Sequence, residues 1–290
     1  MPTVTSPLFY AAPLTPDGRV DDWCIDAVSR PPDVLFNFRK VPVDTAITDL
    51  RAGGTRPDLD GAGFEKVEAP TRVDQQALFA REPGAIAAYQ EEVGDLLLAR
   101  TGAARVSFFD ATVRVEDTGA PRDPDNQAPH QRVHVDQSPG SAWARAADHG
   151  GPGRSSRRFQ IVNAWRPLLA PVRNYPLALC DFRSLDPAAD LVATRLDFPD
   201  WLRDRENYSV RHNPAHRWYF WDALTPAEVV LFKCYDSASR ALPHADGATP
   251  DRELADVAGL SPHSAFFVPD GPATGRLRVS LEVRALLFHD

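Results

Sequence analysis

Two residues that can bind a metal, His134 and Asp136, are separated by a single residue in the middle of the chain. Alternation along a β-strand puts residues i and i+2 on one face, so this imidazole and carboxylate can bind the same ion. A second histidine from elsewhere would complete a 2-His-1-carboxylate triad, which binds Fe(II) and leaves coordination positions open. The H-x-D pair alone is a weak signal, because a surface strand with a local Asp–His hydrogen bond has the same pattern.

A candidate for the second histidine lies far along the chain, at His263. It opens the apolar run Ala-Phe-Phe-Val and is followed, after a Gly/Pro-rich turn, by another strand-like run. The rival is His244, which also follows a proline but lies in the loop-like setting Ala-Asp-Gly-Ala-Thr. The strand-like context favours His263 as the third ligand.

The last strand-like run alternates between a polar and an apolar face. Its polar face carries Arg278, Ser280, Glu282 and Arg284. In a closed or sandwiched β-fold such a face can line a cavity instead of meeting water. A guanidinium group binds a carboxylate through two parallel hydrogen bonds, so an arginine here can hold an anionic ligand.

The order of these signals, H-x-D, a distant His and then Arg-x-Ser, resembles that of the 2-oxoglutarate-dependent oxygenases. The resemblance implies that Arg278 binds the far carboxylate of 2-oxoglutarate and that the hydroxyl of Ser280 adds a hydrogen bond. Arg284 is the alternative anchor. Arg278 is favoured if the iron lies near the start of the strand.

Composition narrows the class of protein. The chain has 290 residues and a formal net charge of -8 without a basic cluster, which argues against general nucleic-acid affinity. We find neither a membrane-spanning run nor a signal-peptide pattern, so no membrane partner is expected. The three cysteines are widely spaced and form no C-x-x-C motif, which predicts buried free thiols in a reducing cytoplasm.

Elements are predicted from periodicity. Pro83 to Arg100 has apolar residues at helical spacing and ends before Gly102, after which strand-like runs dominate. The expected fold is mainly β with flanking helices. We expect one domain over residues 1–290, with an N-terminal arm at 1–60 and a helix plus β-core at 61–290. Residues 139–157, rich in Gly, Ser and Arg, are expected to form a mobile lid.

Five further residues are candidates for the binding of small molecules. Lys233 and Tyr235 share a predicted face of an otherwise apolar strand, which suggests contact with a cosubstrate. Asn163, Arg166 and Trp218 are candidates for binding the substrate. Each has a structural alternative: a solvated strand for the first two, a strand-end salt bridge for Arg166, and a packed aromatic strand for Trp218.

Ten segments in order, covering roughly residues 60–288, are similar to the natural-product oxygenases grouped with the gibberellin desaturase and the cephamycin methoxylation component. The resemblance implies a double-stranded β-helix (jelly-roll, cupin-like) core, Fe(II), and 2-oxoglutarate and O₂ as cosubstrates. It also implies hydroxylation, desaturation or oxidative cyclisation of a small secondary metabolite. The chain departs from the pattern by an insertion at 238–259, which contains His244. The segments are Asp60–Phe64, Thr101–Val106, Phe109–Arg114, Val133–Ser138, Ile161–Leu168, Pro176–Ser184, His216–Phe220, Phe232–Ser237, Pro262–Phe266 and Ser280–Phe288.

Two other classes of protein fit the same residues. One is a lyase or hydrolase that uses a metal-bound water on the same barrel without 2-oxoglutarate. The other is a non-catalytic small-molecule binding protein. Binding of a divalent metal and of 2-oxoglutarate separates these three possibilities.

Overall fold

The computed structural model describes residues 1–15, 22–31, 34–54, 56–116, 127–150, 158–198, 205–243, 254–268 and 277–289. Two sheets form its framework. The larger has nine strands in the order β1-β3-β11-β8-β13-β6-β10-β9-β2. Their bounds are β1 Thr3–Ala12, β2 Trp23–Asp26, β3 Arg39–Asp49, β6 His134–Val135, β8 Leu177–Cys180, β9 Leu191–Asp197, β10 Arg205–Val210, β11 Trp218–Phe220 and β13 His263–Ala265.

The smaller sheet has five strands in the order β4-β12-β7-β14-β5, and all four pairings are antiparallel. Its strands are β4 Phe64–Glu68, β5 Arg105–Val115, β7 Arg158–Pro167, β12 Glu228–Asp236 and β14 Val279–His289. The four helices are α1 Gln75–Phe79, α2 Pro83–Thr101, α3 Pro139–Asp148 and α4 Pro187–Asp190, and a 3₁₀ turn spans Phe182–Ser184. No helix within these described ranges is both long and apolar enough to cross a membrane.

The five-stranded sheet is buried on both faces. One face packs against the nine-stranded sheet through residues such as Phe159, Phe232 and Leu286. The other face, which includes Val162, Leu231 and Leu281, packs against α1 and α2. This arrangement explains why β12 is buried along its whole length: neither face meets water.

The helix predicted from residue 83 is confirmed and is one residue longer than expected. It begins with Pro83, whose missing N–H costs nothing in the first turn. It ends at Gly102, which has a φ of 68° and donates its N–H to the carbonyl of Leu98. A left-handed residue at this position is a common way to end a helix, and glycine adopts it without a steric penalty.

The N-terminal arm is more regular than expected, because residues 1–60 contribute three strands to the nine-stranded sheet. β1 and β3 form one edge of this sheet and β2 forms the other. The segment from Val34 to Phe38 forms no strand, and Phe36 makes only an isolated bridge to Ile25. Leu35, Phe36 and Phe38 pack in a small apolar cluster with Trp23 instead of extending a ladder.

The expected lid is also partly wrong. Residues 139–148 form α3, which has Ser138 as its N-cap and buries Ala142 and Ala146 in the core. The alanines at this spacing supply an apolar stripe that the count of Gly, Ser and Arg concealed. Residues 151–157, including Arg154 and Arg157, lie outside the described residues.

Candidate metal and cosubstrate site

The pairing of two short strands brings the predicted metal ligands together. His134 begins β6, and His263 begins β13, where it lies directly opposite His134 in the ladder. Asp136 follows β6 immediately. Its Oδ1 lies 3.4 Å from Nε2 of His134 and 3.9 Å from Nε2 of His263. One potential ligand atom from each residue lies within 4.8 Å of the others, as a shared metal ion requires.

In both histidines, Nε2 is the ring nitrogen that lies near Oδ1 of Asp136 and is available to bind a metal. Nδ1 of His134 lies 2.7 Å from the carbonyl of Arg132, and Nδ1 of His263 lies 3.1 Å from the carbonyl of Ser261. A carbonyl only accepts, so each Nδ1 carries the proton and each Nε2 keeps a free lone pair. Burial, and then the neighbouring His263, lowers the pKa of His134 to about 4, so His134 is neutral and ready to bind a metal.

The carboxylate of Asp136 is held through its other oxygen. Oδ2 accepts from Nδ2 of Asn163 at 2.8 Å and from Nε of Arg284 at 3.0 Å. Burial alone would raise the pKa of Asp136, but the positive charge of Arg284 and the interactions with His134 and His263 together outweigh it and hold that pKa well below its ordinary value. The donor set of two imidazoles and one carboxylate therefore fits Fe(II).

A cavity opens beside these three residues. Arg278 reaches it from the end of β14, as the polar face of that strand predicted. The cavity is lined by Arg114, His130, His134, Trp165, Leu177, His263, Ala265, Arg278 and Glu282. A space that joins the metal ligands to a buried arginine is suited to a ligand that binds a metal at one end and a cation at the other.

Arg278 is 3% exposed, and its guanidinium has only neutral hydrogen-bond partners in the described part of the chain, although its backbone N–H donates to a carboxylate oxygen of Glu116 at 3.0 Å. Its guanidinium contacts the carbonyl of Tyr175 and the hydroxyl of Ser280, the latter from Nε at 3.4 Å and from Nη2 at 3.3 Å. It also lies 5.2 Å from the ring centre of Trp165. Burial lowers its pKa to about 9, so the site favours the arrival of an anion.

Arg284, the rival anchor, is surrounded by carboxylates instead. Besides Asp136, its guanidinium binds Asp110 and Glu282. These carboxylates occupy N–H donors on all three nitrogens of the Arg284 guanidinium. The contrast between the two arginines therefore supports Arg278 as the residue that is available to a carboxylate ligand. His244, the rival metal ligand, lies outside the described residues.

Lys233 and Tyr235 do not share a face. The pairing of β12 with β7 shifts register between them, and this bulge breaks the alternation. Nζ of Lys233 binds Asp60 at 2.6 Å, Asp236 at 2.7 Å and the carbonyl of Ala258 at 3.0 Å, and it is not among the residues that line the cavity. Tyr235 packs in the core between the two sheets and accepts from Nε1 of Trp143.

The three candidate substrate residues are dispersed. Asn163 is fully buried against Asp136 and is thus a partner of a candidate metal ligand. Arg166 lies on the opposite face of its strand, where its guanidinium binds the hydroxyl of Tyr89 and the carbonyls of Ala69 and Pro226. Trp218 is 1% exposed, and its Nε1 donates to the hydroxyl of Tyr10. The structure does not bring these three residues together.

Besides the apolar Leu177 and Ala265, three residues of the cavity were not singled out from the sequence: Arg114, His130 and Trp165. Arg114 had a usable signal, because polar residues alternate with apolar ones along β5 just as they do along β14. His130 follows a Pro/Asp-rich segment without periodicity and offered no signal. Trp165 could equally have belonged to the core, where most buried aromatic residues lie.

The comparisons with known proteins agree with this geometry. A family model described as an oxidoreductase/YMDC permease-like domain matches residues 25–288. The hydroxylase/desaturase efuI of Hormonema carpetanum is 32% identical over 274 residues, which is 83% of this chain and 82% of that protein. The alpha-ketoglutarate-dependent dioxygenase tstK of Talaromyces stipitatus is 30% identical over 253 residues, 84% of each chain.

A solved structure shows the fold. That of the iron and alpha-ketoglutarate-dependent endoperoxidase NvfI superposes with a TM-score of 0.80 at 24% identity and covers 99% of this chain and 98% of that one. The two curled sheets thus form a jelly-roll core, as predicted. The chain belongs to the matched oxidoreductase family and, by its relatives, to the Fe(II)/2-oxoglutarate-dependent oxygenases of natural-product pathways, with Fe(II) as cofactor and 2-oxoglutarate and O₂ as cosubstrates.

Proposed function

We propose that His134, Asp136 and His263 bind the iron and that Arg278, assisted by Ser280, binds the far carboxylate of 2-oxoglutarate. The observation that supports this most strongly is the position of one cavity between the three ligand atoms and a buried arginine without a carboxylate partner. The 2-oxo acid end of the cosubstrate would meet the metal. Its distal carboxylate would meet the guanidinium.

Iron bound here supplies the activation of O₂ that is coupled to oxidative decarboxylation of 2-oxoglutarate to succinate and CO₂. The protein's residues have simpler tasks. Nδ1 of each histidine is held by a backbone carbonyl, so that both rings keep their orientation. Arg284 and Asn163 fix the carboxylate of Asp136. The apolar side chains of Leu177 and Ala265 restrict water beside the ligands.

The proposed substrate is a small secondary metabolite, oxidised at a C–H bond that the pocket holds close to the iron. Relatives of this chain are named as hydroxylases and desaturases, and one is an endoperoxidase. We propose hydroxylation, desaturation or oxidative cyclisation as the outcome. The three cysteines, Cys24, Cys180 and Cys234, are buried and unpaired, which supports a reducing compartment, and we propose the cytoplasm.

The test is spectroscopic and needs no substrate. Under anaerobic conditions, Fe(II) and 2-oxoglutarate together should give the weak visible charge-transfer band of a chelated 2-oxo acid, and admission of O₂ should slowly release succinate. Folded protein that binds Fe(II) without the band would favour the lyase or hydrolase alternative. Folded protein that binds no divalent metal would favour a binding protein.

A further inference from the structure

Arg114 lines the same cavity as Arg278, from the neighbouring strand. In the ladder between β5 and β14, Arg114 is the direct partner of Ser280, the residue whose hydroxyl contacts the Arg278 guanidinium. Cross-strand partners project from the same face of a sheet. The two arginines therefore approach the cavity from adjacent strands, at the end where the distal carboxylate of 2-oxoglutarate would lie.

Neither of these guanidinium groups has a counter-ion in the described part of the chain. Arg114 donates from Nη1 to Oε1 of Gln127 at 3.0 Å and to the carbonyl of Ala128 at 3.3 Å, both neutral acceptors. Burial lowers its pKa, and although Glu282 opposes that effect, no ion pair forms between them. Two cations, one buried and one half-buried, that share a cavity without a direct ion pair are costly to keep.

The nearby carboxylates are already engaged. Asp110, Asp136 and Glu282 all bind Arg284. They form a separate cluster, in which one arginine is shared by three acids. The fold thus distributes its charges unevenly along one polar surface: acids gather around Arg284, and Arg114 and Arg278 are left for a ligand.

A third donor belongs to a residue that lines the cavity and has no hydrogen-bond partner among the described residues. Trp165 is 1% exposed and lines the cavity, and its Nε1–H makes no hydrogen bond in the described structure. An unsatisfied buried N–H costs about 1–3 kcal/mol, so such groups usually meet a ligand or a water molecule. Two guanidinium groups and an indole N–H around one space suit both oxygens of a carboxylate.

We propose that Arg114 is a second anchor for the distal carboxylate of 2-oxoglutarate and makes the site specific for dicarboxylic 2-oxo acids. The inference rests on the proposed function, in which Arg278 is the first anchor. A single guanidinium can bind a carboxylate through two parallel hydrogen bonds. A second one on the adjacent strand adds selectivity, because a 2-oxo acid that lacks this carboxylate leaves two guanidinium groups of the cavity without an ionic partner.

The test compares the binding of two ligands to the unaltered protein and to three variants. One ligand is 2-oxoglutarate; the other is 2-oxopentanoate, which has the same chain length but ends in a methyl group. Affinities are read from the anaerobic Fe(II) charge-transfer band. Arg114→Gln should lower the affinity for 2-oxoglutarate about 10- to 100-fold, which is the contribution of a charge-assisted hydrogen bond. It should change the affinity for 2-oxopentanoate less than about twofold. Arg114→Lys, which keeps the charge, should recover part of the loss.

Arg105→Gln is the matched control, because Arg105 begins the same strand, is exposed and changes the net charge equally. It should leave both affinities unchanged. The inference would be overturned if Arg114→Gln weakened the binding of both ligands equally or left the affinity for 2-oxoglutarate unaltered. It would also be overturned if Arg114→Gln weakened only the binding of an anionic substrate. Absence of the band in the unaltered protein would instead contradict the proposed function, so the two failures are distinguishable.

Discussion

Nε of Arg284 donates to Oδ2 of Asp136 at 3.0 Å, while Oδ1 of the same carboxylate is the oxygen nearest to the two imidazoles. The side chain of Asn163 binds the same Oδ2. One oxygen is thus occupied by hydrogen bonds, and the other is free to bind the metal. Arg284 and Asn163 together fix the carboxylate of Asp136 in an orientation that favours coordination of the metal by a single oxygen.

Replacing Arg284 by Gln should weaken Fe(II) binding about 10- to 100-fold, because groups that orient a metal ligand typically contribute that much affinity. Metal titration with Co(II) or Fe(II), followed by its absorbance, measures the effect. Arg195→Gln, which breaks an exposed pair with Asp197, is the control. Unchanged metal affinity in a folded Arg284→Gln protein would show that Asn163 and the backbone position Asp136 without Arg284.

For the third ligand, His263→Ala should abolish metal binding, as His134→Ala should, whereas His244→Ala should bind metal normally. The fold should survive all three changes, because its stability comes from the apolar faces of the two sheets. Thermal unfolding and metal titration of the three variants measure both effects. Loss of metal binding in His244→Ala alone would mean that the 238–259 insertion supplies the ligand.

The sequence predicted which candidate residues lie together where a pattern and a chemistry coincide. His134 begins β6 and Asp136 follows it, and Arg278 directly precedes β14, whose polar face had to meet either water or a cavity. The long helix was predicted for the same reason, since its apolar spacing and its terminal Gly102 agree.

The predictions that failed depend on tertiary context. The bulge in β12 cannot be read from alternation, so Lys233 and Tyr235 were assigned to one face. Arg166 and Lys233 are polar residues inside buried strands, which looked functional. Each instead satisfies carbonyls or carboxylates from segments distant in sequence. Nothing local in the chain indicates those partners.

Replacing Arg278 by Leu should raise the 2-oxoglutarate requirement far more than it changes metal affinity. Loss of a bidentate, charge-assisted pair in a partly dry pocket costs about 2–4 kcal/mol, which corresponds to a weakening of about 30- to 1000-fold. Titration of 2-oxoglutarate into the Fe(II) protein measures it. If Arg284→Leu loses affinity for the cosubstrate and Arg278→Leu keeps it, then Arg284 is the residue that binds the distal carboxylate.

Lys233→Met should destabilise the protein without changing its affinity for 2-oxoglutarate. The Lys233 side chain is fully buried and pairs with Asp60 and the buried Asp236. Removal of one partner from a buried ion pair costs about 3–5 kcal/mol, and because Arg158 still binds Asp236 we expect a loss at or below the lower end of that range. Chemical denaturation measures the loss, and Lys40→Met, at an exposed position, is the control. A stable Lys233→Met protein with weakened cosubstrate binding would restore the cosubstrate role that the sequence suggested.

The last prediction concerns acid stability. Burial alone would raise the pKa of Glu228, but hydrogen bonds from Arg51 and Lys66 outweigh it and lower that pKa from 4.5 to about 2. A carboxyl group with a depressed pKa stabilises the fold above its unfolded-state pKa, and this contribution is lost as the pH falls from about 4.5 to about 2.

The measurement for Glu228 is the difference in unfolding free energy between the unaltered protein and Glu228→Gln. Because Arg51 is 37% exposed and Lys66 is 25% exposed, solvent screens part of the interaction. We therefore expect a difference of about 2–3 kcal/mol at pH 6 that shrinks towards zero near pH 2. Comparing the two proteins cancels the other acids that titrate in this range. A difference that stays constant from pH 6 to pH 2 would show that the amide loses packing or geometry, not charge.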